Sequence, residues 1–343
     1  MANYCTLFDS YYLDRGLALY SSLKNTAEEF CLYILAMDKD SYTILNNLGL
    51  KNAVIIKEEE ILDSKLKQIK QTRKRAEYCW TCTPIIIEYV LEKFSVEECT
   101  YIDADMYFYK DPAILIAELK SNSASVGIIG HRFPKSFASE KRERLYGKYC
   151  VEFNTFFNNV NGRQVLQWWK KKCIESCTMD LYQESFGDQK YLEQWERKFS
   201  GVYELKNLGA GVAPWNITDY KLENIEDSVP KLRYRKHEQC ELVFYHFQGL
   251  RMINDKEAHI AVYNEVGKMD RQFINYIYIK YIKEIYSIRL YLKEKYEFAF
   301  PEAEIRPGER GKRKFTSFKD EMAYIYQCLT ILFRGKRNYM YIE

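Results

Sequence analysis

The first part of the chain alternates short apolar runs with longer segments whose apolar residues recur at helical spacing. The apolar runs are bounded by polar or turn-forming residues and cover residues 3–8, 30–37, 53–56 and 99–102. Continuous apolar runs of this length are typical of strands buried on both faces, and amphipathic segments such as residues 17–23 are typical of helices. Strands that alternate with helices predict a mostly parallel sheet covered by helices on both sides.

Local residue chemistry predicts where one of these helices begins. Thr83 followed by Pro84 has the pattern of an N-cap with proline at the first helical position. We therefore expect a helix to begin there and to run through residues 85–91 toward the strand at residues 99–102.

The pattern continues through residue 265 and changes after it. An amphipathic helix is predicted at residues 162–177, and further strands are predicted at residues 125–131, 151–157, 202–205 and 241–247. Beyond residue 270, Ile, Tyr, Lys and Arg recur in a long predicted helix at residues 273–292 and a second one at residues 322–333. The sequence thus predicts an α/β unit of residues 1–265 and a basic, Tyr-rich helical extension of residues 266–343.

Composition excludes several classes of protein. Of 343 residues, 47% are hydrophobic and 16% aromatic, which is enough for a large core, and a net charge of +3 does not indicate a nucleic-acid-binding protein. No apolar run approaches the roughly 20 residues of a membrane span. The N-terminal residues have no basic segment followed by an apolar one, so we interpret the ten cysteines as reduced thiols of a cytoplasmic protein.

The extension more than accounts for the net positive charge of the chain. Residues 271–343 contain 15 Lys and Arg against 9 Asp and Glu, an excess of six, whereas the whole chain carries only +3. Two interpretations stay open: a helical cap that covers the sheet and solvates its outer face, or a basic aromatic surface that rests peripherally on the anionic inner face of the cell membrane.

Two carboxylates that follow a predicted strand are the first candidates for chemistry. Asp103 and Asp105 come directly after the apolar run that ends at Ile102 and are separated by one residue. Side chains two residues apart on a strand point to the same side, so this pair can share one divalent cation with oxygen ligands. The alternative is a pair of solvated turn residues.

Three separated motifs together resemble a known family. In chain order, Asp103-Ala104-Asp105, Gly187-Asp188-Gln189 and His246-Phe247-Gln248-Gly249 resemble the retaining nucleotide-sugar glycosyltransferases of family 8, of the bacterial galactosyl- and glucosyltransferase type. The segment Phe8-Asp9-Ser10-Tyr11-Tyr12 resembles the family's nucleotide-binding opening, and Phe153-Asn154-Thr155 resembles its Phe-Asn-small segment. The resemblance spans about residues 4–251.

The resemblance implies a GT-A fold, a Rossmann-like mixed sheet flanked by helices, with a site for a uridine diphosphate sugar. It implies that Asp103, Asp105 and His246 hold a divalent metal, and a mixture of carboxylates and imidazole suits Mn²⁺. It further implies that Asp9 and Tyr12 contact the base and ribose, and that the catalytic sugar pocket is lined by Asn154, Asp188 and Gln189. The alternatives are a core histidine at His246 and a helix N-cap at Asp188.

The chain departs from the family in two places. The family's Lys-Pro-Trp after His-Phe-x-Gly is absent, which leaves Arg251, or next Lys256, as the candidate to bind the diphosphate. The arginine that family members direct at the sugar is also absent; Thr83 and Pro84 stand in that region, and the cluster Arg73-Lys74-Arg75 is a possible substitute or a solvated surface. Ala213-Pro214-Trp215-Asn216 is either part of the acceptor site or a plain turn.

The resemblance therefore implies a metal-dependent retaining hexosyltransferase. It would move a hexose from a UDP-sugar to a glycan or lipid-linked saccharide acceptor in bacterial surface polysaccharide or lipopolysaccharide synthesis. Gln189 is a poor nucleophile, which favours displacement on the same face over a covalent intermediate. Two alternatives stay open: an inactive nucleotide-sugar-binding protein, suggested by the missing Lys-Pro-Trp, and a nucleotidyltransferase, although residues 9–14 contain none of the glycines of its usual loop.

Overall fold

A seven-stranded mixed sheet forms the centre of the protein in the computed structural model, which describes residues 1–135, 137–180, 186–254, 257–262, 267–301 and 335–341. Its strand order is β3-β2-β1-β4-β7-β6-β8. The strands are β1 (Ala2–Phe8), β2 (Phe30–Ala36), β3 (Ala53–Lys57), β4 (Glu98–Ile102), β6 (Val126–Gly130), β7 (Tyr149–Phe157) and β8 (Val202–Glu204).

Most neighbouring strands of this sheet run parallel. Strands β3, β2, β1 and β4 are parallel to one another, β7 is antiparallel to both β4 and β6, and β8 is parallel to β6. Every residue of β1, β4 and β6 is buried, as expected of strands covered on both faces. The predicted α/β fold with a mostly parallel mixed sheet is confirmed.

Helices cover both faces of the sheet. They are α1 (Leu13–Thr26), α2 (Lys39–Leu48), α3 (Ser64–Thr72), α4 (Arg75–Lys93), α5 (Ala113–Ser121), α6 (Phe137–Tyr146), α7 (Val160–Glu175), α8 (Trp195–Lys198) and α9 (Arg271–Tyr296). Short 3₁₀ helices lie at Ser10–Tyr12, Glu58–Glu60, Gln189–Gln194, Ile217–Asp219 and Gly335–Asn338. No helix in the described part of the chain is long and apolar enough to cross a membrane.

Three smaller sheets flank the central one. Strand β5 (Met106–Phe108) pairs antiparallel with β12 (Phe244–His246). A three-stranded sheet has the order β11-β10-β9, from β9 (Tyr220–Glu226), β10 (Val229–Tyr234) and β11 (Glu238–Glu241). Another has the order β13-β14-β15, from β13 (Arg251–Met252), β14 (Glu257–His259) and β15 (Tyr339–Tyr341).

Helix α9 packs its inner face into a separate hydrophobic cluster beside the central sheet. The ring of Tyr281 stacks on Phe247, which directly follows β12, with centroids 3.8 Å apart. Eight apolar or aromatic side chains of this helix are at most 1% exposed: Phe273, Ile274, Ile277, Tyr278, Tyr281, Ile282, Ile285 and Leu292. The long helix predicted at residues 273–292 is confirmed. The second one, at residues 322–333, lies outside the described residues, and the division at residue 265 stays a prediction.

Two predicted boundaries are wrong. Thr83 and Pro84 do not begin a helix, because α4 already begins at Arg75 and Pro84 lies inside it. The Glu77 side chain accepts a hydrogen bond from the Lys74 amide at that earlier start, and the apolar face of the first turns packs on the sheet. The strand predicted at residues 241–247 is two strands, β11 and β12, because residues 242 and 243 leave the ladder between them.

Candidate active site

The two carboxylates lie in a tight turn between β4 and β5. The Met106 amide donates a hydrogen bond to the Asp103 carbonyl oxygen at 3.2 Å, which closes the turn. Asp103 and Asp105 therefore do not occupy alternate positions of one strand, as the spacing predicted. Their side chains nevertheless converge on the same imidazole, that of His246, because the turn reverses toward β12.

His246 reaches the two carboxylates through the pairing of β5 with β12. In that ladder His246 lies opposite Met106, and the Phe247 amide donates to the Asp105 carbonyl oxygen at 2.8 Å. The Nε2 atom of His246 is 3.0 Å from Asp105 Oδ1 and 3.7 Å from Asp103 Oδ2. One candidate ligand atom of each residue lies within 4.8 Å of the others.

The opposite nitrogen of the His246 ring contacts a carboxylate that the sequence did not single out. Its Nδ1 is 2.7 Å from Oε2 of Glu152, which lies on β7 and is fully buried. The histidine therefore bonds a side chain rather than the backbone expected of a core histidine. The single charged residue of this strand was the available signal, but nothing in the sequence indicates its partner.

Electrostatic interactions within this cluster oppose one another. Burial lowers the pKa of His246, but the carboxylates of Asp105 and Glu152 outweigh burial and raise it. Burial raises the pKa of Asp105, while the charge and hydrogen bond of His246 hold it below its usual range. Burial raises the pKa of Asp103, and the nearby charges of Asp105 and Asp188 add to that rise.

The residues present fit a divalent metal. Two carboxylate oxygens and one imidazole nitrogen converge from three positions, with Asp105 and His246 buried and Asp103 partly exposed. This mixture of hard oxygen ligands with one borderline nitrogen suits Mn²⁺ better than Ca²⁺. Asp103, Asp105 and His246 are the residues that would hold it.

Asp188 adds a second feature to the site, a buried carboxylate with one unsatisfied oxygen. It is 3% exposed, burial raises its pKa to about 7, and its Oδ2 has no hydrogen-bond partner among the described residues. Asp188 stands at the start of a 3₁₀ helix but makes no side-chain capping bond. The Thr83 hydroxyl faces both Asp188 and Tyr101, and Tyr101 in turn donates to Asp103 Oδ1 at 3.0 Å.

Asn154 and Gln189, the other predicted sugar-pocket residues, differ in whether their side chains have hydrogen-bond partners. Asn154 is fully buried opposite Tyr101 in the β4–β7 ladder, and neither polar atom of its side chain has a partner in the described part of the chain. Two unsatisfied polar atoms at one buried position are costly unless a ligand or water completes them. Gln189 instead donates from Nε2 to the Tyr146 carbonyl oxygen at 2.6 Å.

The predicted nucleotide loop lies beside the carboxylate turn. Asp9 accepts a hydrogen bond from the Tyr11 amide at 3.1 Å and forms an ion pair with Arg75, whose guanidinium lies over the Tyr11 ring. Tyr12 is 42% exposed. Burial, and to a lesser extent the negative charge of Asp105, raises the pKa of its hydroxyl.

A buried cation that the sequence did not indicate supports this loop. The Arg15 guanidinium lies 4.7 Å from the Tyr12 ring centroid, bonds Asp14 Oδ1 at 3.0 Å and donates to the Leu250 carbonyl oxygen at 3.0 Å. Arg15 thereby joins the nucleotide loop to the segment after β12.

The residues considered as substitutes for the family's missing ones lie in different parts of the structure. Arg251 is exposed on β13 opposite His259, and Lys256 lies outside the described residues. Arg73 is not a solvated surface residue, because it donates to the carbonyl oxygens of Cys173 and Ile174 at 2.6 and 2.8 Å. Trp215 packs edge-on against His246 with ring centroids 5.4 Å apart, so the turn at residues 213–216 borders the cluster.

The fold and this partly buried cluster define an α/β protein with a candidate metal site, and sequence comparison adds its relatives. Two Bacillus subtilis (strain 168) proteins are each 30% identical to the chain. The uncharacterized protein YfnD matches over 287 residues, 82% of this chain and 87% of YfnD, and the uncharacterized protein YfnF matches over 285 residues, 80% and 89%. The chain belongs to the family that contains YfnD and YfnF. No protein-family model matches it.

Solved structures of glycosyltransferases are similar at lower identity. An active-site mutant of LgtC is 12% identical with a TM-score of 0.49, covering 72% of this chain and 87% of LgtC. Mouse xyloside xylosyltransferase 1 in its apo form is 10% identical with a TM-score of 0.47, covering 72% and 98%.

Proposed function

We propose that this protein is a metal-dependent retaining glycosyltransferase of the GT-A type, related to family 8, that moves a hexose from a UDP-sugar to a saccharide acceptor. The observation that carries the proposal is the convergence of Asp103, Asp105 and the Nε2 atom of His246 in one partly buried cluster. The cluster lies just after the carboxyl end of β4, where ligands of open α/β sheets bind. A bound divalent ion would neutralise the charge that develops on a departing diphosphate.

The nucleotide would lie on the exposed side of this cluster. Tyr12 offers a partly exposed ring for stacking, and Asp9 offers a carboxylate beside it. Arg15 and Arg289 share the single carboxylate of Asp14, so one net positive charge remains beneath the loop. That charge favours a diphosphate where the family's lysine is missing, together with the exposed Arg251.

The sugar would be held by groups that lack partners among the described residues. Asn154 and the Oδ2 atom of Asp188 are buried and unsatisfied, and sugar hydroxyls are the kind of donor and acceptor that would complete them. The Thr83 hydroxyl and the Gln189 side chain would lie beside Asn154 and Asp188 and complete the sugar pocket. A carboxylate held near the anomeric carbon stabilises positive charge there, which supports displacement on the same face of the sugar.

The acceptor would approach beside Trp215, because this partly buried ring borders His246 and an aromatic face suits a sugar ring. A glycan or lipid-linked saccharide of a bacterial surface polymer is the acceptor class we propose. The outer side of α9 exposes Ile279, Leu290 and Tyr291 near basic residues, which supports peripheral contact with an anionic membrane. Sedimentation with anionic but not neutral vesicles, weakening as salt rises, would test that contact.

Donor hydrolysis tests the proposed function. Purified protein incubated with Mn²⁺ and each of several UDP-hexoses should slowly release UDP and free sugar, because many transferases pass the sugar to water when no acceptor is present. Tight UDP binding without any release would indicate the inactive binding protein instead. Release of pyrophosphate from UTP and a sugar phosphate would indicate a nucleotidyltransferase.

A further inference from the structure

Glu152 is a fully buried carboxylate on the far side of the His246 ring from Asp103 and Asp105. We propose that Glu152 is the positioning residue of the metal site: it fixes the ring orientation and tautomer of His246 so that the Nε2 lone pair faces the two aspartates. This inference rests on the metal site of the proposed function. Glu152 would not itself bind the metal.

The geometry of the hydrogen bond carries the inference. With Nδ1 of His246 only 2.7 Å from Glu152 Oε2, a neutral imidazole places its proton on Nδ1 and leaves Nε2 without one. A neutral histidine with the proton on Nε2 instead would direct an N–H group at Asp105 and could not bind a metal there. Because Glu152 is shielded from water, its carboxylate is a strong acceptor, and it selects the competent tautomer.

The backbone of Glu152 adds a second connection to the same site. Its carbonyl oxygen accepts a hydrogen bond from the Asp103 amide at 3.2 Å, which continues the β4–β7 ladder into the carboxylate turn. One residue therefore holds the backbone of one candidate ligand and the ring of another. A side-chain substitution keeps the backbone bond and isolates the contribution of the ring contact.

A different arrangement uses the same atoms. Cys150, Glu152 and the His246 ring also offer three ligand atoms within 4.8 Å of one another. A metal bound there would use Nδ1 of His246 and turn Glu152 into a ligand, while Asp103 and Asp105 would be bystanders. The Nε2 position facing two carboxylates favours the first arrangement for Mn²⁺, since a thiolate ligand suits softer metals.

Direct measurement of Mn²⁺ binding to the full chain tests the inference without turnover. The free ion is followed by electron paramagnetic resonance for wild type, Glu152→Gln, Glu152→Ala and Glu98→Gln. We expect the two Glu152 variants to bind Mn²⁺ about 10- to 100-fold more weakly, with Ala the more severe, as when a residue that orients a metal ligand is lost. Glu98 is also buried, at the other end of β4, so Glu98→Gln controls for removal of a buried carboxylate and should leave the affinity unchanged.

A purely structural contribution of Glu152 would lower stability without changing the affinity of the folded protein. Affinities are therefore measured well below the melting temperature of each variant, and Gln replaces Ala if Ala does not fold. UDP release by Glu152→Gln should recover when Mn²⁺ is raised to saturation, because the defect lies in holding the metal.

The outcomes are distinguishable. Wild-type affinity in Glu152→Gln overturns the inference about Glu152 and leaves the proposed function intact. If Cys150→Ser abolishes Mn²⁺ binding while Asp105→Asn retains it, the metal occupies the other side of His246 and Glu152 is a ligand, which also overturns the inference. Absence of Mn²⁺ binding by wild type overturns both the inference and the metal dependence on which it rests.

Discussion

Asp14 at the start of α1 accepts a hydrogen bond from Arg289 of α9, with Nε and Oδ2 2.6 Å apart. The Asp14 side chain is fully buried, and its other oxygen bonds Arg15 beneath the predicted nucleotide loop. The helix outside the predicted catalytic unit therefore contacts that unit close to its candidate site. This contact favours the interpretation that the inner side of α9 is a cap that completes the core, whereas the membrane contact proposed above would use its exposed outer side.

Replacing Arg289 tests whether α9 is part of that core. Arg289→Gln should lower the free energy of unfolding by about 2 kcal/mol, because a buried carboxylate loses one of its two charged partners. Urea denaturation measures the change. Lys293→Gln alters an exposed residue one turn further along the same helix and should change stability by less than about 0.5 kcal/mol. Equal stabilities for the two variants would show that the Asp14 contact contributes nothing.

Thr83 offers a test of the sugar pocket that keeps the fold. Thr83→Val preserves shape but removes the hydroxyl that faces Asp188 and Tyr101, so kcat/KM for donor hydrolysis should fall about 10-fold, the cost of one hydrogen bond to a charged group. Thr81→Val is the matched control in the same helix, because the Thr81 hydroxyl bonds only the Glu77 carbonyl oxygen and Arg73 among the described residues. That control should lower stability and spare turnover. Unchanged kcat/KM in Thr83→Val would remove Thr83 from the site.

The buried His131 contributes to the pH dependence of stability. Burial lowers its pKa from 6.5 to about 4, and the neutral ring donates from Nδ1 to the Gly147 carbonyl oxygen at 3.0 Å. Between these two pH values the unfolded chain binds a proton at His131 that the folded protein does not, so the contribution of His131 to stability falls as pH falls from 6.5 toward 4, by up to about 3 kcal/mol. The raised pKa values of Asp103 and Asp188 act in the opposite direction over this range. Below that range both states carry the proton and the dependence ends.

Unfolding measured across this pH range for two histidine variants checks the assignment. The free energy of unfolding that wild type has over His131→Gln should shrink as pH falls from 6.5 to 4, because only wild type loses the contribution of the neutral ring. His237→Gln, at an exposed position, should show the same pH dependence as wild type. A difference between wild type and His131→Gln that stays constant with pH would contradict the assignment.

The configuration of the product tests the retaining assignment. A UDP-α-hexose donor should yield an α-linked product, because the proposed route attacks on the face that the diphosphate leaves. The proton coupling of the product's anomeric signal distinguishes the two configurations. A β-linked product would place the protein outside the retaining class.

The sheet was predictable because its strands are buried on both faces and appear in the sequence as uninterrupted apolar runs, as at β1, β2 and β4. The start of α4 was not predictable from the sequence. The capping pattern at Thr83 and Pro84 is local, whereas the preceding turns are helical because they pack on the sheet. Pro84 is accommodated inside the helix.

The candidate site was only partly predictable, for a different reason. Asp103, Asp105 and His246 were recognisable from their motifs, but their convergence depends on the β5–β12 ladder between distant segments. Glu152 and Arg15 also act through partners far away in the sequence, His246 in one case and the Leu250 carbonyl oxygen in the other. Long-range pairing of charges carries no sequence periodicity, so only the folded chain reveals it.

The dependence of UDP release on Mn²⁺ and on Asp105 tests the central claim most directly. Wild type should release UDP from its hexose donor only with a divalent ion, best with Mn²⁺, and Asp105→Asn should lose at least about 100-fold in rate as several kcal/mol of charge stabilisation disappear. Asp111→Asn removes a carboxylate that bonds the Ala113 amide at the start of α5 and should retain activity. Full activity in excess chelator, or an Asp105→Asn variant as fast as wild type, would contradict the account.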